Sequence, residues 1–231
     1  MIEEDESMSN TSKGRGIKGS KYWMQLIPNT VIKTEFDRMI GEKLRWLSPL
    51  VANDYMEYEL SHSFIYQQLG ITDKEKAFSF WPRRQPQWDG IAVGEDSGTL
   101  YLVEAKAHLR EMESCCRASL ESKDKIIKAM REVFSGYAKA NDFNIWMERY
   151  YQLGNRLTFL EYMKKMNLPR YPHVKLLLIN FTDDMTYLST TEEDWKRHYE
   201  KVFEEMTGEK KIPSDVRCIY LSVKDWTGVI I

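Results

Sequence analysis

The chain has 231 residues, of which 42% are hydrophobic and 13% aromatic, enough apolar side chain to build the core of one large domain. It contains no run of eighteen apolar residues and no N-terminal apolar stretch of signal-peptide length, so we expect a cytoplasmic protein with no membrane partner. The formal net charge of −2 excludes a general electrostatic attraction to nucleic acid, which would have to be held by local basic patches.

Residues 1–20 predict a disordered tail. They begin with an acidic cluster and continue with Ser, Asn, Thr and Gly among scattered basic residues, a composition that buries too little surface to order itself. We therefore assign a single domain to residues 21–231.

The N-terminal part of this domain, about residues 33–70, predicts two helical regions. Thr34 is a candidate N-cap, and the apolar residues after it recur at helical spacing as far as Leu47. After Pro49 a second helical region is expected, and Gly70 ends it.

Three strands are expected next, because the apolar residues change from helical spacing to alternation. The first is "KAFSFWP", residues 76–82. The second and third are "WDGIAVG" and "TLYLVEAKA", separated by "EDSG", which is typical of a hairpin turn. The third strand is apolar on both faces, which indicates a sheet covered by helices on both sides.

The rest of the chain alternates helices and buried strands. In order, the predicted elements are a helix at 122–140, a helix at 143–166, the strand "VKLLLINF", a helix at 192–206 and the strand "VRCIYLSV". The predicted fold class is therefore α/β, a three-layer sandwich in which helices flank one central mixed sheet.

Three ionisable residues lie on the predicted hairpin. In a two-residue turn centred on Asp96–Ser97, the numbers of cross-strand partners sum to a constant, so Asp89 falls opposite Glu104. Lys106 projects from the same face two residues further along. Burying such charges costs several kcal/mol, so this set indicates either a chemical site or a tightly paired ion network.

The carboxylates of Asp89 and Glu104 are suitable ligands for Mg²⁺, with Mn²⁺ as a substitute. Such an ion polarises a phosphodiester and lowers the pKa of a bound water, and Lys106 would orient that water or balance negative charge in the transition state. The three cysteines lack the spacing of a zinc site, so a thiolate-bound metal is not expected.

The segment "WDGIAVGEDSGTLYLVEAKAH" contains the pattern D-x14-E-A-K within an α-β-β-β-α-β order, and it resembles the PD-(D/E)XK nuclease superfamily. The resemblance implies a restriction endonuclease-like fold and a Mg²⁺-dependent phosphodiesterase that acts on DNA more often than on RNA. The proline that usually precedes the aspartate is displaced, since Pro86 lies three residues upstream and Trp88 takes its place.

Members of this superfamily often add a glutamate from the helix that precedes the first strand. Glu42, Glu57 and Glu59 are the candidates here, and on a helix only one of Glu57 and Glu59 could face the site. We expect Glu59 to support catalysis, with Glu42 as the second choice and a solvated helix carboxylate as the alternative for each.

Five further residues are candidates for contacting the substrate. Arg83 and Arg84 precede the Asp89 strand and could grip a phosphate, although simple surface charge is the alternative. His108 continues the face of Lys106. Gln152 and Arg156 lie four residues apart on a helix, where core-rim hydrogen bonding is the alternative.

Two other functions stay open at this point. A catalytically inactive nuclease fold that binds nucleic acid or protein would use Asp89, Glu104 and Lys106 as a structural ion network. An enzyme acting on small phosphorylated substrates is less favoured, because no Gly-rich phosphate loop is present. Nucleases that cut both strands often pair symmetrically, so a homodimer is among the expected assemblies.

Overall fold

The computed structural model describes residues 14–138, 142–226 and 228. The helices are α1 (Gly19–Asn29), α2 (Ile32–Ile40), α3 (Ser63–Gln68), α4 (Lys74–Ala77), α5 (Leu120–Tyr137), α6 (Asn144–Glu148), α7 (Tyr151–Met166) and α8 (Glu192–Thr207). The strands are β1 (Leu44–Ser48), β2 (Gly90–Gly94), β3 (Thr99–Lys106), β4 (His173–Thr182) and β5 (Val216–Ser222). Short 3₁₀ turns occur at Val51–Asn53, Leu109–Met112 and Lys224–Trp226.

The five strands form one mixed sheet in the order β1-β2-β3-β4-β5. The first three strands are antiparallel, whereas β4 is parallel to β3 and β5 is parallel to β4. Gly90 pairs with Val103 and Val93 with Leu100, so the residue numbers in each pair of the hairpin sum to 193. This register is the one predicted for a turn centred on Asp96–Ser97.

Helices cover both faces of the sheet, as the apolar third strand predicted. On one face, α1 and α2 pack with Trp46, Tyr101 and Val103 in one apolar core. On the other face, α3 and α5 to α8 pack with Leu100 and Leu102 in a larger core. The α/β class and the helix-sheet-helix layering are thus present.

The predicted helix that starts near Thr34 is shorter than expected. It ends at Ile40, because Gly41 adopts a left-handed conformation with φ of 98° and terminates the helix. Leu44–Ser48, expected to be helical, is instead the edge strand β1. This segment is extended because its successive side chains are buried on opposite faces of the sheet. Trp46 packs into the core on one face and Leu47 into the core on the other.

The prediction of a strand at "KAFSFWP" is wrong. Asp73 caps a one-turn helix, α4, by accepting a hydrogen bond from the amide of Lys76. The chain then turns at Phe78–Trp81, where the aromatic rings pack into the larger core without pairing to a strand.

The region between Pro49 and Gly70 is mostly not helical. Only α3 is an α-helix there, and Tyr58 lies in an extended segment that bridges to Trp88. The predicted helix at 143–166 is divided at Arg149, because the backbone of Ser114 pairs with it at this point. The other predicted helices and strands are confirmed to within a few residues.

Helix α1 begins at Gly19, within the segment that the composition assigned to a tail. Its side chains at Trp23 and Leu26 are buried, and Gln25 bonds back to the backbone of Gly14 and Gly16. Residues 1–13 of the predicted tail lie outside the described residues. Within the part of the chain that the structure describes, no helix is long and apolar enough to cross a bilayer. The cytoplasmic location stays a prediction.

Candidate active site

The hairpin brings Asp89, Glu104 and Lys106 together at the end of the strands that lies away from the turn. The ladder ends at Gly90 and Val103, so Asp89 stands one step further along, opposite Glu104. The Oδ2 atom of Asp89 accepts a hydrogen bond of 2.7 Å from the backbone amide of Ala105. All three side chains lie on the face of the sheet that carries the larger core.

The carboxylate of Glu104 is paired on both sides. Its Oε1 accepts a hydrogen bond from the ammonium group of Lys106, and its Oε2 accepts one of 2.6 Å from Nε of Arg156. All three residues are buried, with exposed fractions of 3% for Glu104, 7% for Lys106 and 3% for Arg156. The result is a carboxylate between two cations with little access to solvent.

Burial alone would raise the pKa of Glu104, but the charges of Arg156 and Lys106 outweigh burial and lower it. Burial would likewise lower the pKa of Lys106, yet the charges of Glu104 and Asp89 raise it. Asp89 behaves oppositely: burial, reinforced by the charge of Glu104, raises its pKa to about 8. The charge of Glu57 contributes to the same rise. Negative charge is therefore less well compensated at Asp89 than at Glu104.

An open cleft of about 400 Å³ lies against this cluster. The residues that line it come from the segment between β1 and α3, from the segment before β2, from the loop before α5 and from α7. They are Glu57, Pro86, Gln87, Asp89, Ser114, Tyr151, Gln152, Asn155 and Arg156. Asp89 is partly exposed and lines this cleft, whereas Glu104 is buried and is not among the lining residues. A ligand in the cleft would therefore meet Asp89 before Glu104.

The glutamates considered as a supporting acid lie in three different places. Glu57 lines the cleft with Asp89, because the bridge between Tyr58 and Trp88 holds its segment beside the Asp89 strand. Glu59 instead accepts a hydrogen bond from the backbone of Gln85 and lies near the charge of Arg84, and it does not line the cleft.

Glu42 lies at the opposite end of the hairpin. It accepts hydrogen bonds from the hydroxyl of Tyr101 at 2.6 Å and from that of Ser97, which belongs to the turn. Glu57 and Glu59 both lie in a non-helical segment, so the prediction that one helix carries them is wrong. The aromatic, β-prone composition of "YMEYEL" is the feature of the sequence that could have indicated an extended segment around Glu57.

The candidate substrate residues are also dispersed. Gln152 lines the cleft. Arg83 and Arg84 are exposed to solvent. His108 packs its ring against Tyr187, with 5.1 Å between the ring centroids, and its Nε2 lies 3.4 Å from a carboxylate oxygen of Glu111.

Arg156 has a different environment from the one expected of a residue that contacts a substrate. In addition to Glu104, its Nη2 donates to the carbonyl of Gln87 at 2.7 Å and its Nη1 to the side-chain oxygen of Asn155 at 3.1 Å. Its guanidinium carbon lies 4.5 Å from the ring centroid of Trp88. The side chain is thus committed to groups within the protein.

Among the described residues, no group of three or more His, Cys, Asp or Glu side chains is arranged to hold a metal ion. No protein-family model, no curated protein and no solved structure matches the chain. The geometry of the cleft and of its charged side chains is therefore the basis for a functional interpretation.

Proposed function

We propose that the protein is a Mg²⁺-dependent nuclease that hydrolyses phosphodiester bonds of DNA with a PD-(D/E)XK-type site. The observation that carries the proposal is the hairpin register, which sets Asp89 opposite Glu104 and Lys106 beside an open cleft. Two antiparallel strand pairs followed by parallel strands, with helices on both faces, also agree with the restriction endonuclease-like fold that the resemblance implies.

The donor atoms suit a hard divalent cation. Asp89 and Glu57 offer carboxylate oxygens to the cleft, and each oxygen of Glu104 keeps a further lone pair besides the one that accepts from a cation. Asp89 and Glu104 would hold Mg²⁺, or Mn²⁺ in its place. When bound, the ion would supply Lewis acidity toward a phosphodiester and a water of lowered pKa.

The side chains of the protein have separate tasks in this proposal. Asp89 presents its carboxyl group to the cleft, and a bound cation would favour its ionised form. Lys106 keeps its positive charge at neutral pH and lies next to both carboxylates, so it can balance negative charge that develops on a phosphoryl group. Glu57, rather than Glu59, is the supporting acid that we propose, because it lines the cleft.

A second candidate function is favoured by one observation. Both oxygens of Glu104 are paired with buried cations, as expected of a structural ion network in an inactive module that binds nucleic acid or protein. Such a module would need the charges for its fold and would show no response to divalent ions.

The test is a cleavage assay on linear, nicked, branched and single-stranded DNA, with an RNA substrate for comparison, in Mg²⁺, Mn²⁺ or EDTA. We expect cleavage that requires a divalent ion and is lost in Asp89→Asn, Glu104→Gln and Lys106→Ala. Glu132→Gln, which removes an exposed partner of Lys165 on the surface, is the matched control and should cleave normally. Sedimentation of the same samples would test the proposed homodimer.

A further inference from the structure

We infer that Arg156 is a positioning residue, which holds the carboxylate of Glu104 and the segment of Asp89 in a fixed relation and makes no contact with the substrate. The inference rests on the proposed nuclease function and goes beyond it. It also replaces the prediction that Arg156 contacts the substrate.

Each of the three side-chain nitrogens of Arg156 donates one hydrogen bond within the protein, which uses three of its five N–H groups. Nε donates to Glu104, Nη1 to Asn155 and Nη2 to the carbonyl of Gln87. The residue is only 3% exposed. Because so little of the side chain is exposed, a phosphate group would have to displace neighbouring protein groups to reach the guanidinium.

These contacts join the two strands of the hairpin from outside the sheet. Glu104 belongs to β3, whereas Gln87 lies two residues before Asp89 on the segment that leads into β2. A planar guanidinium that binds both at 2.6 and 2.7 Å fixes the carboxylate of Glu104 relative to Asp89. The ion pair of Lys106 with Glu104 lies within β3 itself and so does not join the two strands.

Trp88 provides the platform for the guanidinium. It is fully buried, its ring centroid lies 4.5 Å from the guanidinium carbon of Arg156, and it directly precedes Asp89. This is the position at which the resemblance leads one to expect proline. Trp88 in place of proline therefore has a role that involves Arg156. Its aromatic ring orients the guanidinium group, which a proline at this position could not do.

The experiment compares wild type, Arg156→Lys and Arg149→Lys. Arg149 is a matched control, because it also pairs with a glutamate, at 2.9 Å from Glu205, and lies over an aromatic ring, that of Tyr150, yet it does not line the cleft. Affinity for Mn²⁺ is measured without DNA from thermal shifts across a Mn²⁺ titration, and kcat and KM are measured on the best DNA substrate.

Lysine keeps the charge but cannot bind three acceptors in one plane. We expect Arg156→Lys to weaken Mn²⁺ binding and to lower kcat by about 10–100-fold each, the range typical of residues that orient metal ligands. KM should change by less than about twofold. Arg149→Lys should match the wild type in all three quantities. If Arg156→Lys is unfolded at the assay temperature, Trp88→Phe is measured instead, because it keeps the arginine and weakens the ring contact beneath it. It must then show smaller decreases in Mn²⁺ affinity and kcat, with KM nearly unchanged.

A raised KM with unchanged kcat and Mn²⁺ affinity in Arg156→Lys would overturn the inference and restore a substrate-binding role. Equal losses in Arg156→Lys and Arg149→Lys would also overturn it, because the effect would then be a general one on stability. If the wild type binds Mn²⁺ and cleaves DNA, and Arg156→Lys has the same Mn²⁺ affinity and the same kcat, the positioning role alone is refuted. A wild type that neither binds Mn²⁺ nor cleaves refutes the proposed function, and the positioning role with it.

Discussion

Replacing Asp89 by asparagine should stabilise the metal-free protein at neutral pH. Burial and the neighbouring Glu104 raise the pKa of Asp89 from its ordinary value of 3.8 to about 8. Well below pH 3.8 the carboxyl group is protonated in both the folded and the unfolded chain, so it contributes nothing to the pH dependence of stability. As the pH rises, the unfolded chain releases the proton while the folded chain retains it, so folding becomes less favourable up to about pH 8.

The size of this effect follows from the same shift. At pH 7 the difference between the pKa of Asp89 in the unfolded and in the folded chain acts over about three pH units. At 1.36 kcal/mol per unit, this lowers the free energy of unfolding by about 4 kcal/mol. Asp89 is partly exposed, and solvent screening at this position reduces the effect to about 2 kcal/mol. Asparagine does not titrate, and its side-chain oxygen can still accept the hydrogen bond from the amide of Ala105.

Thermal melting in EDTA at pH 4.5 and pH 7 measures the difference. At pH 7 we expect Asp89→Asn to melt about 4–8 °C above the wild type, and at pH 4.5 the two proteins should melt within about 2 °C of each other. Asp215→Asn, which removes a half-exposed partner of Lys164, is the control and should differ little from the wild type at either pH. An Asp89→Asn protein that is less stable than the wild type at pH 7, by the roughly 3–5 kcal/mol of a broken buried pair, would refute the reasoning.

Three other substitutions or additions have defined outcomes. If Mg²⁺ binds with a dissociation constant near 1 mM, ~10 mM Mg²⁺ should stabilise the wild type by about 1.4 kcal/mol and raise its Tm by roughly 3–6 °C. The Tm of Asp89→Asn should hardly change, and the absence of a shift in both proteins would count against a metal site. Glu57→Gln should slow DNA cleavage by roughly tenfold or more, whereas Glu59→Gln should change the rate by less than about threefold, and the reverse order would show that the wrong glutamate has been assigned. Glu104→Gln leaves two buried cations without their shared carboxylate, so urea unfolding should reveal a loss of roughly 3–5 kcal/mol, and a loss under about 1 kcal/mol would mean that these ion pairs are weak.

The hairpin and its charged residues could be predicted from the sequence because their determinants are local. A turn of defined length sets the register, and the register sets which side chains share a face. Asp89, Glu104 and Lys106 therefore lie together as expected. The same reasoning gave the two buried strands after α5 and the helix between them, since each has a long and uniform pattern.

The features that the sequence did not reveal depend on contacts between distant segments. Leu44 and Leu47 continue a helical spacing, but they belong to β1 because that segment pairs with β2 and reaches both cores. Glu57 lies in the cleft because Tyr58 bridges to Trp88, thirty positions along the chain. Neither pairing leaves a periodic signal in its own segment.

The sequence left two roles open for Arg156, a contact with the substrate and hydrogen bonding at the rim of the core. Its charge and its position on α7 suggested a residue that reaches toward a substrate. Its acceptors, Glu104 and the carbonyl of Gln87, are 52 and 69 residues away in sequence. Only the folded arrangement of α7 over the hairpin shows that both accept hydrogen bonds from its guanidinium.

The most direct test of the nuclease proposal is one DNA cleavage measurement on the wild type and Asp89→Asn, each with ~10 mM Mg²⁺ and with EDTA. The proposal predicts cleavage by the wild type in Mg²⁺ alone and none by Asp89→Asn, which by the stability argument above is at least as well folded. Cleavage that persists in EDTA, or equal cleavage by the two proteins, would contradict the assignment of Asp89 to a metal-dependent site.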